Sequence, residues 1–201
     1  MIINITQKKI HPGSNLMLDT HQNTIISDNY LKLQTELHKD ELYGIASLSF
    51  APIIKNIIID NSFNSISDYG AGKKNLEKAL LSYNSLNLQY HPYDPVFPEY
   101  GEPKSADLVC CIDVLEHIEP EFIDNTILKL SKITNNAGFF TIHQGPAAKI
   151  LQDGRNAHLI QKPTSWWLLK LCNYFEIHKL DTHNIHGPGF WVFVSPKIKI
   201  N

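Results

Sequence analysis

Residues 65–80 read S-I-S-D-Y-G-A-G-K-K-N-L-E-K-A-L, and no other stretch narrows the possible folds as far. A short apolar run ends at Asp68, glycines follow at Gly70 and Gly72, and helical spacing begins at once. Leu76, Leu80 and Leu81 share one helix face, with Lys73, Lys74, Glu77 and Lys78 towards solvent. The order is therefore strand, tight glycine turn, helix. Glycine permits positive φ and lets a ligand lie against bare backbone, while a helix N-terminus offers N–H groups without intrahelical partners. The plainer reading is an ordinary strand-to-helix turn. A nicotinamide-type G-x-G-x-x-G is disfavoured, because its third glycine falls on Asn75.

Further polar residues stand at the ends of later apolar runs. Residues 86–93 read as the next strand, stopped by Pro92 and Pro95, with Asp94 at its end. An acid placed there can accept both hydroxyls of a ribose, although Y-D-P is also a common turn composition. Between Asp94 and Asp107 the chain is short and rich in Pro and Gly, too short for a helix and another strand. Residues 108–114 (L-V-C-C-I-D-V) have the near-continuous apolar character of a strand buried on both faces. Leu115, Glu116, His117, Ile118 and Glu119 follow, and Pro120 is placed to start a helix to about Thr134.

The Asp68-Tyr69-Gly70-Ala71-Gly72 turn and the D-V-L-E-H-I block at residues 113–118 together resemble the class I S-adenosylmethionine-dependent methyltransferases, over roughly residues 45–195. The resemblance implies an α/β, three-layer Rossmann-like sandwich. Its mostly parallel sheet would have about six strands, the third reduced or missing, with an antiparallel C-terminal strand. It implies S-adenosylmethionine as cofactor and S-adenosylhomocysteine as product, held by Asp68, Tyr69, Gly70, Gly72, Asp94, Asp113 and Val114. It also implies a single methyltransferase domain over residues 1–201, in which residues 1–62 form an N-terminal arm and cofactor-covering helices.

Residues 1–27 carry little periodicity and read as that arm. Helices are predicted from Asp28, as N-cap, to about Asp40, and from Ala51 to Asp60 with Pro52 in the first turn. Residues 138–143 read as a strand, and residues 145–163 as a functional loop with a short helix from Ala147. Thr164 is placed to cap a helix reaching Tyr174; residues 175–181 and 189–195 then read as a closing antiparallel pair.

Ligands of an open α/β sheet bind outside the carboxyl ends of its strands, which brings these polar strand ends together. His117 and His143 are the candidate catalytic bases, against the plainer reading of structural histidines. Arg155, Asn156 and His158 are expected to face the acceptor, and Trp167 to wall its pocket. A sharper alternative uses Asp113, Glu116, His117 and His158 as metal ligands. Their spacing is similar to that of metal-dependent terminal 2′-O-methyltransferases of small RNAs and ubiquinone-pathway O-methyltransferases. The metal-free reading is preferred, because Asp113 departs from that pattern.

The expected activity is methyl transfer to a hydroxyl, or an amine, of a small-molecule or sugar-like acceptor. The competing readings are a metal-dependent RNA 2′-O-methyltransferase and a non-catalytic partner subunit of the same fold. A net charge of −2 shows no electrostatic footprint for nucleic acid. No apolar run has the length of a membrane span and no signal-peptide pattern opens the chain, so a cytoplasmic protein is expected. The three cysteines, Cys110, Cys111 and Cys172, read as reduced and buried.

Overall fold

The computed structural model describes residues 24–83 and 86–197, so the arm predicted over residues 1–27 lies outside the described residues up to residue 23. Six strands form one sheet: β1 (Ser65–Tyr69), β2 (Gln89–Tyr93), β3 (Ala106–Ile112), β4 (Thr134–His143), β5 (Phe175–His183) and β6 (Gly189–Pro196). Their spatial order is β2-β1-β3-β4-β6-β5. Strands β1 to β4 are parallel, and β6 runs antiparallel to both β4 and β5. The segment between β2 and β3 holds only a 3-10 turn at Pro98–Tyr100. The strand expected to be missing after β2 is indeed absent among the described residues.

The alternation of β3 explains why the helices fall on two sides. Val109 and Cys111 point into one core, with Phe140, Ile142, Val192 and Trp167. Leu108, Cys110 and Ile112 point into the other, with Phe50, Ile54, Ile58, Leu76 and Phe139. Successive residues of a strand face opposite sides, so an unbroken apolar run requires cover on both. Helices α4 (Ile123–Ile133) and α5 (Thr164–Leu171) cover the first face, α2 (Ala46–Asn61) and α3 (Asn75–Leu81) the second. Helix α1 (Asp28–Leu37) lies in neither core and packs instead on Leu151 and Ala157 through Tyr30, Leu33 and Leu37.

Several boundaries differ from the sequence reading. Ser27, not Asp28, caps α1: it has extended backbone and its hydroxyl accepts the Tyr30 N–H. Adjacent Ser and Asp are equally good caps, and Ser27 prevails because its N–H and hydroxyl both donate to the buried Glu119 carboxylate. Helix α2 begins at Ala46, which leaves Pro52 inside it rather than in its first turn. Packing of Phe50, Ala51, Ile54 and Ile58 holds the helix together across the proline. Helix α4 starts at Ile123, after Pro120, and β4 already starts at Thr134, ahead of the apolar run at 138–143, because the exposed Asn135 and Asn136 interrupt the apolar pattern by which a strand is read. No helix forms at Ala147; residues 146–158 make a strap closed by one bridge between Ile150 and Asn156. Helix α5 stops at Leu171, and Cys172 is exposed, whereas Cys110 and Cys111 are buried as expected. No helix among the described residues is long and apolar enough to cross a membrane.

Candidate active site

A cavity of about 360 Å³ opens at the carboxyl ends of β1 to β4, with α1, the α1–α2 loop and the strap over it. Its floor is the turn after β1. The N–H groups of Gly70 and Ala71 both donate to the Tyr93 carbonyl at the end of β2, at 2.8 and 3.0 Å. The Gly72 N–H donates to Asp94 Oδ2 at 3.0 Å, and Asp94 Oδ1 accepts the Val96 N–H at 2.9 Å. Asp94 thus shapes the turn while its carboxylate still borders the cavity. Burial raises its pKa above the usual carboxylate range, partly offset by His38, whose Nε2 stands 3.9 Å away. Asp68 is 3% exposed and accepts the Tyr90 hydroxyl; burial raises its pKa to about 7. Both predicted acids line the same cavity as Tyr69, Gly70 and Gly72.

At β3 the chain turns sharply, with Asp113 at φ +51°. The Asp113 carboxylate accepts the Thr141 hydroxyl, and its N–H donates to the Thr141 side chain and carbonyl. This turn sets Val114 against Gly70: a Cβ added at Gly70 would stand 2.3 Å from Val114 Cγ2. Both Asp113 and Val114, expected to hold the cofactor, border the cavity.

The histidines separate into two kinds. His143 has both ring nitrogens engaged: Nδ1 accepts the Gly145 N–H at 3.1 Å, and Nε2 faces the His186 carbonyl at 3.1 Å and must donate to it. It lines the cavity with no lone pair left for an acceptor, which corrects its reading as a base. His117 and His158 are arranged otherwise. Nδ1 of His117 donates to the Ala157 carbonyl at 2.8 Å, and Nδ1 of His158 to the Gly145 carbonyl at 2.7 Å. Each therefore keeps Nε2 as an unprotonated acceptor. Shielding from solvent, with His158 nearby, pushes the His117 pKa down to about 3. Glu116 lies close to both, fully buried, with Oε1 accepting the His143 N–H at 2.8 Å. Burial, reinforced by Asp113, raises its pKa well above the carboxylate range.

Three residues predicted to meet the acceptor border no part of the cavity. Trp167 is fully buried in the core under α5, since only one of two adjacent helix tryptophans can face the sheet. Arg155 pairs with Asp153 at 2.7 Å and lies over the Tyr30 ring. The Asn156 side chain holds the strap: it donates to the Ala147 carbonyl and accepts the N–H groups of Ala147 and His158, all at 2.9 Å. These bonds carry His158, the fourth residue of that group, to the edge of the cavity.

The sequence reading missed the roof. Tyr43 donates to Gln34 Oε1 at 3.3 Å, Gln34 Nε2 to the Tyr30 hydroxyl at 2.6 Å, and Tyr30 to the His117 carbonyl at 2.6 Å. Tyr30, Gln34 and His38 recur every four residues on one helix face, a spacing visible in the sequence beside the apolar Leu33 and Leu37.

No family model matches this sequence, and no curated protein matches it either. Solved structures do. The 1,6-didemethyltoxoflavin-N1-methyltransferase of Burkholderia thailandensis, solved with S-adenosylhomocysteine, superposes with a TM-score of 0.60 at 10% identity, over 85% of this chain and 90% of that one. The N-methyltransferase NodS of Bradyrhizobium japonicum, also solved with that ligand, gives 0.56 at 9% identity, over 86% and 100%. The magnesium protoporphyrin IX methyltransferase of Synechocystis gives 0.52 at 12%, over 84% and 95%. The fold is that of the class I S-adenosylmethionine-dependent methyltransferases.

Proposed function

We propose that this protein transfers the methyl group of S-adenosylmethionine to a hydroxyl, or an amine, of a small-molecule acceptor. One observation carries the reading: a single cavity joins the Asp68–Gly72 turn and Asp94 to the free imidazole nitrogens of His117 and His158. A nucleoside fits the first half, where two buried acids and a glycine turn meet, and an acceptor fits the second. The proteins of similar fold that carry S-adenosylhomocysteine support the choice of cofactor. The cofactor supplies an electrophilic methyl on a sulfonium sulfur. The chain's own part is to hold the acceptor in line and to take or weaken its proton. Positioning contributes roughly 7–11 kcal/mol in well-oriented reactions, whereas a general base adds about 10²–10⁴-fold. The cavity wall accordingly matters more than any one base. Calorimetric titration tests the reading. S-adenosylmethionine and S-adenosylhomocysteine should both bind, and Asp94→Asn should weaken binding by about 1–3 kcal/mol. No heat from either ligand with the folded wild type would overturn it.

A further inference from the structure

We propose that Glu116, His117 and His158 form a site for one divalent transition-metal ion at the acceptor end of the cavity. Each residue presents one ligand atom, and the three atoms lie within 4.8 Å of one another. Their orientation is fixed from outside. The carbonyls of Ala157 and Gly145 hold the protons on Nδ1 of His117 and His158, which leaves Nε2 of each ring for the cluster. Backbone carbonyls that fix the tautomer of an imidazole in this way are the usual second shell of a metal-binding histidine.

Glu116 adds an independent observation. It is fully buried, its Oε1 is satisfied by the His143 N–H, and its Oε2 has no hydrogen-bond partner. A buried carboxylate oxygen without a partner is costly and calls for an explanation. A cation between Oε2 and the two Nε2 atoms supplies one, because it satisfies all three lone pairs at once. Asp113 stands apart, its carboxylate held by Thr141, so the set has three members rather than the four considered from sequence.

Two imidazoles and one carboxylate favour zinc, manganese or iron(II) over magnesium or calcium, which prefer all-oxygen shells. Three protein ligands leave at least one position open, and His117 and His158 border the cavity on that side. Resting on the methyltransferase reading, the ion would take the acceptor's hydroxyl oxygen, and its proton would leave to solvent. The oxygen then attacks the methyl carbon; the C–S bond breaks with its electron pair staying on sulfur, giving a methyl ether and S-adenosylhomocysteine. The acceptor class is narrowed to hydroxyl compounds that coordinate a metal through oxygen.

The probe is Co²⁺, added to the chelator-treated full chain and followed by its visible d–d absorption. One equivalent per chain should bind, and Zn²⁺ should displace it. His158→Ala and Glu116→Gln should each weaken Co²⁺ binding at least tenfold; the second keeps the acceptor for the His143 N–H and so preserves the fold. A folded chain that binds S-adenosylhomocysteine but shows no saturable Co²⁺ band overturns the metal site and leaves the methyltransferase reading. Co²⁺ bound without affinity for S-adenosylhomocysteine does the reverse. Folded variants that bind Co²⁺ as tightly as wild type put the ion elsewhere and overturn the site.

Discussion

Gly70 shows how a residue chosen for one reason serves another. A glycine in this turn is expected to let backbone approach a ligand, yet the space its Cβ would occupy belongs to Val114, at 2.3 Å. Its φ of +83° adds a conformational demand. Gly70→Ala should therefore lower the stability of the protein itself, by about 2–4 kcal/mol from overpacking and backbone strain together. Adding Val114→Ala should recover the overpacking part, and urea unfolding of the two single variants and the double variant should show a coupling of about 1 kcal/mol or more. Additive effects would mean that Val114 yields freely. Asp68 makes a second demand. Its pKa is raised to about 7 in the folded chain by burial, so its contribution to stability is fully present below the unfolded value and is lost as pH rises through 7. A bound ammonium group beside it would favour the carboxylate, and cofactor binding near pH 6 should release a proton. Titrations in buffers of different ionisation enthalpy should then give different heats for the wild type and equal heats for Asp68→Asn. Equal heats for both would place the charge partner of the cofactor elsewhere.

Helix α2 carries the clearest conflict between local preference and packing. Pro52 lies inside it, exposed, with no N–H to give to the preceding turn. An interior proline costs about 3 kcal/mol, while its stiffening of the unfolded chain returns about 0.4–1 kcal/mol. Pro52→Ala should accordingly stabilise the protein by about 1–3 kcal/mol in urea unfolding; a loss would show that the helix depends on the bend. The same residue explains the misplaced helix start, since a proline normally marks a first turn. The strands were easier to read. The apolar run of β3 is committed to two cores and has no helical period, so its position was legible to within two residues. The start of β4 was hidden because α4 passes into it without a turn residue, through Thr134.

The chain order of the strands was legible as a whole. The short span between Asp94 and Asp107 has no room for a helix and a further strand, so the chain passes from β2 straight across to β3 on the other side of β1, in the order β2-β1-β3-β4-β6-β5. Asp68, Asp94, Asp113 and His117 were legible for the same reason, as strand-end residues that the sheet must gather. Tyr30, Gln34, His38 and Tyr43 were not, because they reach the cavity from a segment whose docking no local pattern dictates. Trp167 was misplaced because the choice between two adjacent tryptophans depends on how α5 meets α4 and the sheet. The omitted strand also leaves β2 as an outer strand, with no described strand beyond it. An open edge invites another chain to add itself, and natural sheets resist such growth by breaking the ladder. Pro92, in the register position opposite Asp68, has no N–H to offer a newcomer. A single ring thus serves as a stop against self-assembly, on the side where a shortened sheet would otherwise be sticky.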